Sequence, residues 1–165
     1  MAENDVKCSW TVYWNGHSND TYLYGSTILF HDKADVEFLN NMMPPGTVIK
    51  KWYSKTNYQV QHEEPALPII DGESRYRIYL DVTKDSNEHI LLRMTFYDRF
   101  DREVGTELFT DEVADFTCPL STFSYSIELV NGGSDGFRFH RIIIQELLNV
   151  GETSTAKIQQ NTKKD

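Results

Sequence analysis

The residue types that most often carry chemistry are present in this chain but scattered. Five histidines stand at His17, His31, His62, His89 and His140, and none lies two or four residues from another. Neither a strand nor a helix can therefore aim two of them at one metal ion from a local motif. Cys8 and Cys118 also lack metal-ligand spacing, and two free thiols are expected unless an oxidising compartment pairs them. No glycine-rich loop leads into a helix to cradle a phosphate, and no nucleophile elbow is present. Carboxylates are plentiful, so a glycosidase-like pair could be drawn from distant strands, with Asp98 and Asp101 as candidate acids. Residues 98–103 are too short and too basic for a calcium loop. The missing constellations speak against an enzyme, and no metal or cofactor is expected.

Residues 52–59 offer a different chemistry. Trp52, Tyr53 and Tyr58 supply flat rings that can stack on the apolar faces of sugars, while Asn57 and Gln59, with Lys55 nearby, can bond hydroxyl groups. Trp52, Tyr53, Asn57, Tyr58 and Gln59 are accordingly the candidate carbohydrate- or partner-binding residues. The competing reading makes Trp52 a core residue and leaves Tyr53 and Tyr58 as half-buried strand residues. Trp10 and Trp14, at strand spacing, read as core.

Something must position these rings, and the composition says what. Aromatics reach 13%, with nine Tyr and nine Phe, which favours strands over helices. A length of 165 residues suits one domain with a substantial core. The net charge of −9 argues against general nucleic-acid binding, which needs Lys and Arg gathered on one face. Much of that charge lies in residues 98–115, where seven acids meet only Arg99 and Arg102, the pattern of a solvated edge or loop. The acidic, polar opening is unlike a secretory signal, and no apolar run approaches a membrane span. A cytoplasmic location is the expectation.

Strand periodicity recurs along the chain. Phe123, Tyr125, Ile127 and Leu129 alternate with Ser124, Ser126 and Glu128, predicting a strand with one face buried. The glycine-rich stretch 131–136 predicts a tight reversal. Beyond it Phe137 and Phe139 share one parity, whereas residues 142–144 are apolar on both, predicting a bulge or two-sided burial. Tyr76, Ile78, Leu80 and Val82 alternate cleanly, as do Ile90, Leu92, Met94 and Phe96. Weaker strands are expected at 10–14, 22–30, 36–39, 47–53 and 104–110. No segment keeps a helical period, and turn signals fall roughly every ten residues. These features predict an all-β, antiparallel β-sandwich over residues 10–149, with a loose lead-in at 1–9 and a disordered polar tail at 150–165.

A family resemblance adds to this. Tyr13-Trp14 and residues 18–26, Met42-Met43-Pro44-Pro45-Gly46 with Thr47, Val48 and Ile49, and Trp52-Tyr53-Ser54 with residues 56–59 resemble blocks of the third accessory secretory protein of the accessory Sec system. Leu67-Pro68, Phe96-Tyr97-Asp98-Arg99-Phe100 and residues 127–133 continue the series from Tyr13 to Ile144. The resemblance implies a jelly roll like a carbohydrate-binding module. It also implies a cytosolic, non-catalytic component of a Gram-positive export system for serine-rich-repeat glycoprotein adhesins. Its implied partners are two sister accessory secretory proteins, the accessory Sec ATPase and the glycosylated adhesin cargo. A glycan-acting enzyme and a purely structural adaptor remain the alternatives.

Overall fold

The computed structural model describes residues 5–15, 20–55 and 66–148, and builds ten strands from them. In chain order these are β1 (Val6–Val12), β2 (Thr27–Asp32), β3 (Asp35–Leu39), β4 (Val48–Tyr53), β5 (Arg75–Thr83), β6 (Ile90–Tyr97), β7 (Glu103–Phe109), β8 (Val113–Thr117), β9 (Ser124–Asn131) and β10 (Gly136–Leu147). One sheet runs β2-β3-β10-β5-β8 and the other β4-β9-β6-β7. Every pairing is antiparallel. β10 is long enough to hold two neighbours end to end on one side, β3 against residues 136–139 and β1 against residues 142–147. The pairs β3·β10, β4·β9 and β5·β8 nest around the β6·β7 hairpin, with the chain changing sheet at every connection from β3 onward except that from β6 to β7. That nesting is the jelly roll.

Alternation explains the core. From the first sheet Val36, Phe38, Tyr76, Ile78, Leu80, Phe116, Phe137, Phe139, Ile142 and Ile144 are buried; from the second come Ile49, Trp52, Leu92, Met94, Phe96, Tyr125, Ile127 and Leu129. The double parity of residues 142–144 has the cause its pattern suggested. The β10·β5 register shifts between Phe139 and Arg141, so the inward face passes from odd to even positions. His140 sits in this irregularity as a structural residue. Its Nδ1 meets the Ala34 carbonyl at 2.7 Å, so Nδ1 carries the hydrogen and Nε2 accepts from the Thr83 hydroxyl at 2.8 Å.

Three expectations change. Residues 131–136 do not close a hairpin, because β9 and β10 lie in different sheets. They carry the chain across the sandwich end instead. There the Asn131 Oδ1 accepts from the amides of Gly133 and Ser134 at 3.0 and 2.7 Å, and Gly133 takes a left-handed φ of 121°. β9 is buried on both faces rather than one, since β4 and β6 flank it. Finally, the lead-in ends by Val6: Val6, Cys8, Trp10 and Val12 already share the inward parity of β1. Residues 149–165, which include the whole of the expected tail, lie outside the described residues.

Candidate functional site

Neighbouring residues on a strand point to opposite faces, and β4 separates the two rings the sequence placed side by side. Trp52 is 1% exposed. Its indole N–H donates to the Tyr13 carbonyl at 2.9 Å, and its ring stacks on Phe139 with centroids 5.5 Å apart. Trp52 is therefore a core residue with its one donor satisfied, and it cannot stack on a sugar. Tyr53 points the other way, outside the sandwich. Asn57, Tyr58 and Gln59 lie outside the described residues.

Around Tyr53 the register lays out rows of side chains on the outer face of the second sheet. Tyr53, Ser126 and Thr95 form one row, and Lys51, Glu128 and Arg93 the next. On one flank of these rows Ser124 pairs with Tyr97; on the other, Val130 sits between Val48 and Leu91. The central positions are small or paired and lie low, with Ser124, Ser126, Thr95 and Glu128 all buried. The flanking Lys51, Tyr53, Arg93 and Tyr97 stand half-exposed beside them. Arg93 holds Glu128 through two bonds, Nε to Oε1 at 3.0 Å and Nη2 to Oε2 at 3.2 Å, and this pairing raises the guanidinium pKa further. The Lys51 ammonium lies 5.1 Å from the centre of the Tyr53 ring. The Ser126 hydroxyl is buried with no hydrogen-bond partner among the described residues, an unmet capacity on an otherwise paired face.

Tyrosine rings beside hydroxyl, carboxylate and guanidinium groups suit a neutral, hydroxyl-rich ligand. Apart from Tyr53, sequence reasoning missed these residues. The signal was present in Ser124, Ser126 and Glu128, but alternation alone reads them as a solvent face.

The candidate acids do not make a catalytic pair. The Asp98 carboxylate accepts from the amides of Phe100 and Arg102 at 2.8 and 3.0 Å and from Arg102 Nε at 3.0 Å. These bonds, first that from the Arg102 amide, hold its pKa below the usual carboxylate range, so Asp98 is a fixed anion in a turn and not a proton donor. Asp101, at a left-handed φ of 60°, lies 3.9 Å from Lys55 Nζ. Among the described residues no group of three or more His, Cys, Asp or Glu is placed to hold a metal ion, and Cys8 and Cys118 are both free thiols.

Comparison with known proteins gives concordant matches. Residues 21–146 match the family model described as Accessory Sec secretory system ASP3. An accessory Sec system protein of that kind from Streptococcus gordonii is 37% identical over 128 residues, covering 78% of this chain and 80% of that protein. Its counterpart from Staphylococcus aureus is 26% identical over 136 residues, and the match spans 82% of this chain but 42% of the relative. Among solved structures, the Glycosylation Associate Protein (Gap123) complex from Streptococcus agalactiae aligns with a TM-score of 0.80 at 32% identity, over 87% of this chain and 46% of that one. A structure of accessory secretory proteins 1, 2 and 3 from Streptococcus pneumoniae aligns at 0.79 with 25% identity, over 84% of this chain and 96% of that one.

Proposed function

Because this chain belongs to the ASP3 family of the accessory Sec secretory system, we propose that it is a non-catalytic binding component of an adhesin-export complex. In this reading it joins two sister accessory secretory proteins and works with the accessory Sec ATPase on the cytoplasmic side. The observation that carries the reading is the match to nearly the whole of one chain in a crystal structure of accessory secretory proteins 1, 2 and 3. No helix among the described residues is long and apolar enough to cross a membrane.

Within that role, the outer face around Tyr53 takes the glycans of serine-rich-repeat cargo. The residues that support this are Tyr53 and Tyr97 as stacking rings, Ser126 and Thr95 as hydroxyl partners, and the Arg93–Glu128 pair as a fixed donor–acceptor set. Asn57, Tyr58 and Gln59 follow Tyr53 closely in the chain and belong to the same proposal.

Titration with a glycosylated serine-rich peptide tests the site. Tyr53→Ala is expected to weaken binding by about 1–3 kcal/mol, by analogy with other ring-stacking contacts, with folding nearly unchanged. Trp52→Ala is expected to cost about 3–5 kcal/mol of stability as a core truncation. Glycopeptide binding that Tyr53→Ala leaves intact would remove this face from the account, and cleavage of the peptide's sugars by the purified chain would make it an enzyme.

A further inference from the structure

At one end of the sandwich the β6–β7 hairpin meets the connection from β8 to β9. A cleft of about 430 Å³ opens there, lined by Phe100, Leu120, Phe123, Arg99 and Arg102 among others. The three apolar side chains are turned to solvent, with Phe100 70% exposed, Leu120 73% and Phe123 58%. Scattered exposed apolar residues need no explanation, but a cluster rimmed by polar groups marks a contact site.

The cluster is held in place before anything binds. Asp98 ties the hairpin tip through its bonds to Phe100 and Arg102, and its own amide donates to the Arg102 carbonyl at 2.9 Å. On the facing connection the Phe123 amide donates to the Tyr97 carbonyl at 2.7 Å, and that of Thr122 to the Pro119 carbonyl at 3.1 Å. A rigid apolar presentation lowers the ordering cost of docking.

Charge identifies the occupant. The Arg102 guanidinium lies 5.1 Å from the Phe100 ring centre, and Lys55 Nζ lies 5.1 Å from that of Phe123. Arg99 is exposed beside them. Asp98 pairs with Arg102 at 3.0 Å and Asp101 lies 3.9 Å from Lys55 Nζ, which leaves Arg99 as the cation at this rim without an acid against it among the described residues. The rim thus sets three cations against two acids in a chain of net charge −9. We propose that this end of the sandwich docks a protein segment of complementary chemistry. That segment places an apolar side chain among Phe100, Leu120 and Phe123 and sets a carboxylate against Arg99. The proposal rests on the assembly reading above, with the segment supplied by one of the sister accessory proteins.

The affinity of the full chain for accessory secretory proteins 1 and 2 tests it, comparing wild type with the double variant Phe100→Ala, Phe123→Ala and with Arg99→Glu. The double variant is expected to bind at least about tenfold more weakly, as for loss of central interface anchors. Arg99→Glu is expected to weaken binding by about three- to tenfold and to reduce its sensitivity to salt. Should the double variant lose stability, Arg99→Glu decides, because an exposed charge leaves the fold intact. Wild-type affinity in Arg99→Glu together with an undiminished double variant overturns the docking surface and leaves the assembly reading standing. Failure of the wild-type chain to bind either sister protein overturns both. Weakened glycopeptide binding with unchanged protein association would assign the cluster to sugar and overturn it as well.

Discussion

Lys50 brings an ammonium group into a core of indoles. It is fully buried, 2.5 Å from Asp20 and 3.4 Å from the Asn15 carbonyl, with the rings of Trp14 and Trp52 within 5.7 and 6.0 Å. A bulge in the β4·β9 register between Val48 and Lys50 turns the side chain inward. In the sequence, Lys50-Lys51 only interrupts the alternation of residues 47–53, without showing which lysine lies inside. Removing one member of a buried ion pair strands the other, so the two halves should respond unequally. Asp20→Ala leaves the ammonium buried and is expected to cost about 3 kcal/mol in chemical denaturation. Lys50→Met keeps the stem packing and leaves Asp20, which retains some contact with water, so it is expected to cost clearly less. Equal losses would mean that the charge pair is not what the bulge serves.

At the scale of elements, the strands were legible and their partners were not. The alternations at Tyr76 to Val82 and Ile90 to Phe96 became β5 and β6 because half-buried strands must repeat every two residues. β8 was not read as a strand, since its acids resemble a solvated edge or loop; Asp115 is in fact bonded to Arg77 at 2.6 Å across the sheet. Pairing is a long-range property, and nothing local distinguishes β9 closing on β10 from β9 crossing to lie between β4 and β6. The same limit hid the rows around Tyr53, which exist only once β4, β9 and β6 are in register. Packing between elements is testable at Gly72, where an added Cβ would lie 2.6 Å from the Leu120 carbonyl oxygen. Backbone cannot swing aside as a side-chain tip can. Gly72→Ala is expected to destabilise by about 1–3 kcal/mol and to displace Leu120. An unchanged melting midpoint would show that the connection from β8 to β9 is freer than its contacts suggest.

Across the whole molecule, ionisable groups set a window of pH. Asp115 is held below the ordinary carboxylate range first by its bond to Arg77, and Asp35 likewise by Arg138. A depressed folded pKa gives stability that is present above the unfolded value and lost as pH falls through the folded one, so weakening is expected below about pH 4. Tyr76 runs the other way. Burial pushes its phenol up to about 12, and burial also raises that of Tyr125. Between the unfolded value of about 10 and the folded value, only the unfolded chain has released its proton, so stability is expected to fall from about pH 10 upward. Denaturant midpoints measured from pH 3 to 11 should show a plateau bounded on both sides, and Tyr76→Phe should lessen the alkaline fall.

The role proposed for this chain rests on the surfaces it presents. Its central claim is assembly. Gel filtration with mass detection, on this chain mixed at micromolar concentration with separately purified accessory secretory proteins 1 and 2, tests that claim most directly. One earlier-eluting species whose mass includes this chain is expected. Three folded proteins eluting apart at their own masses would contradict it.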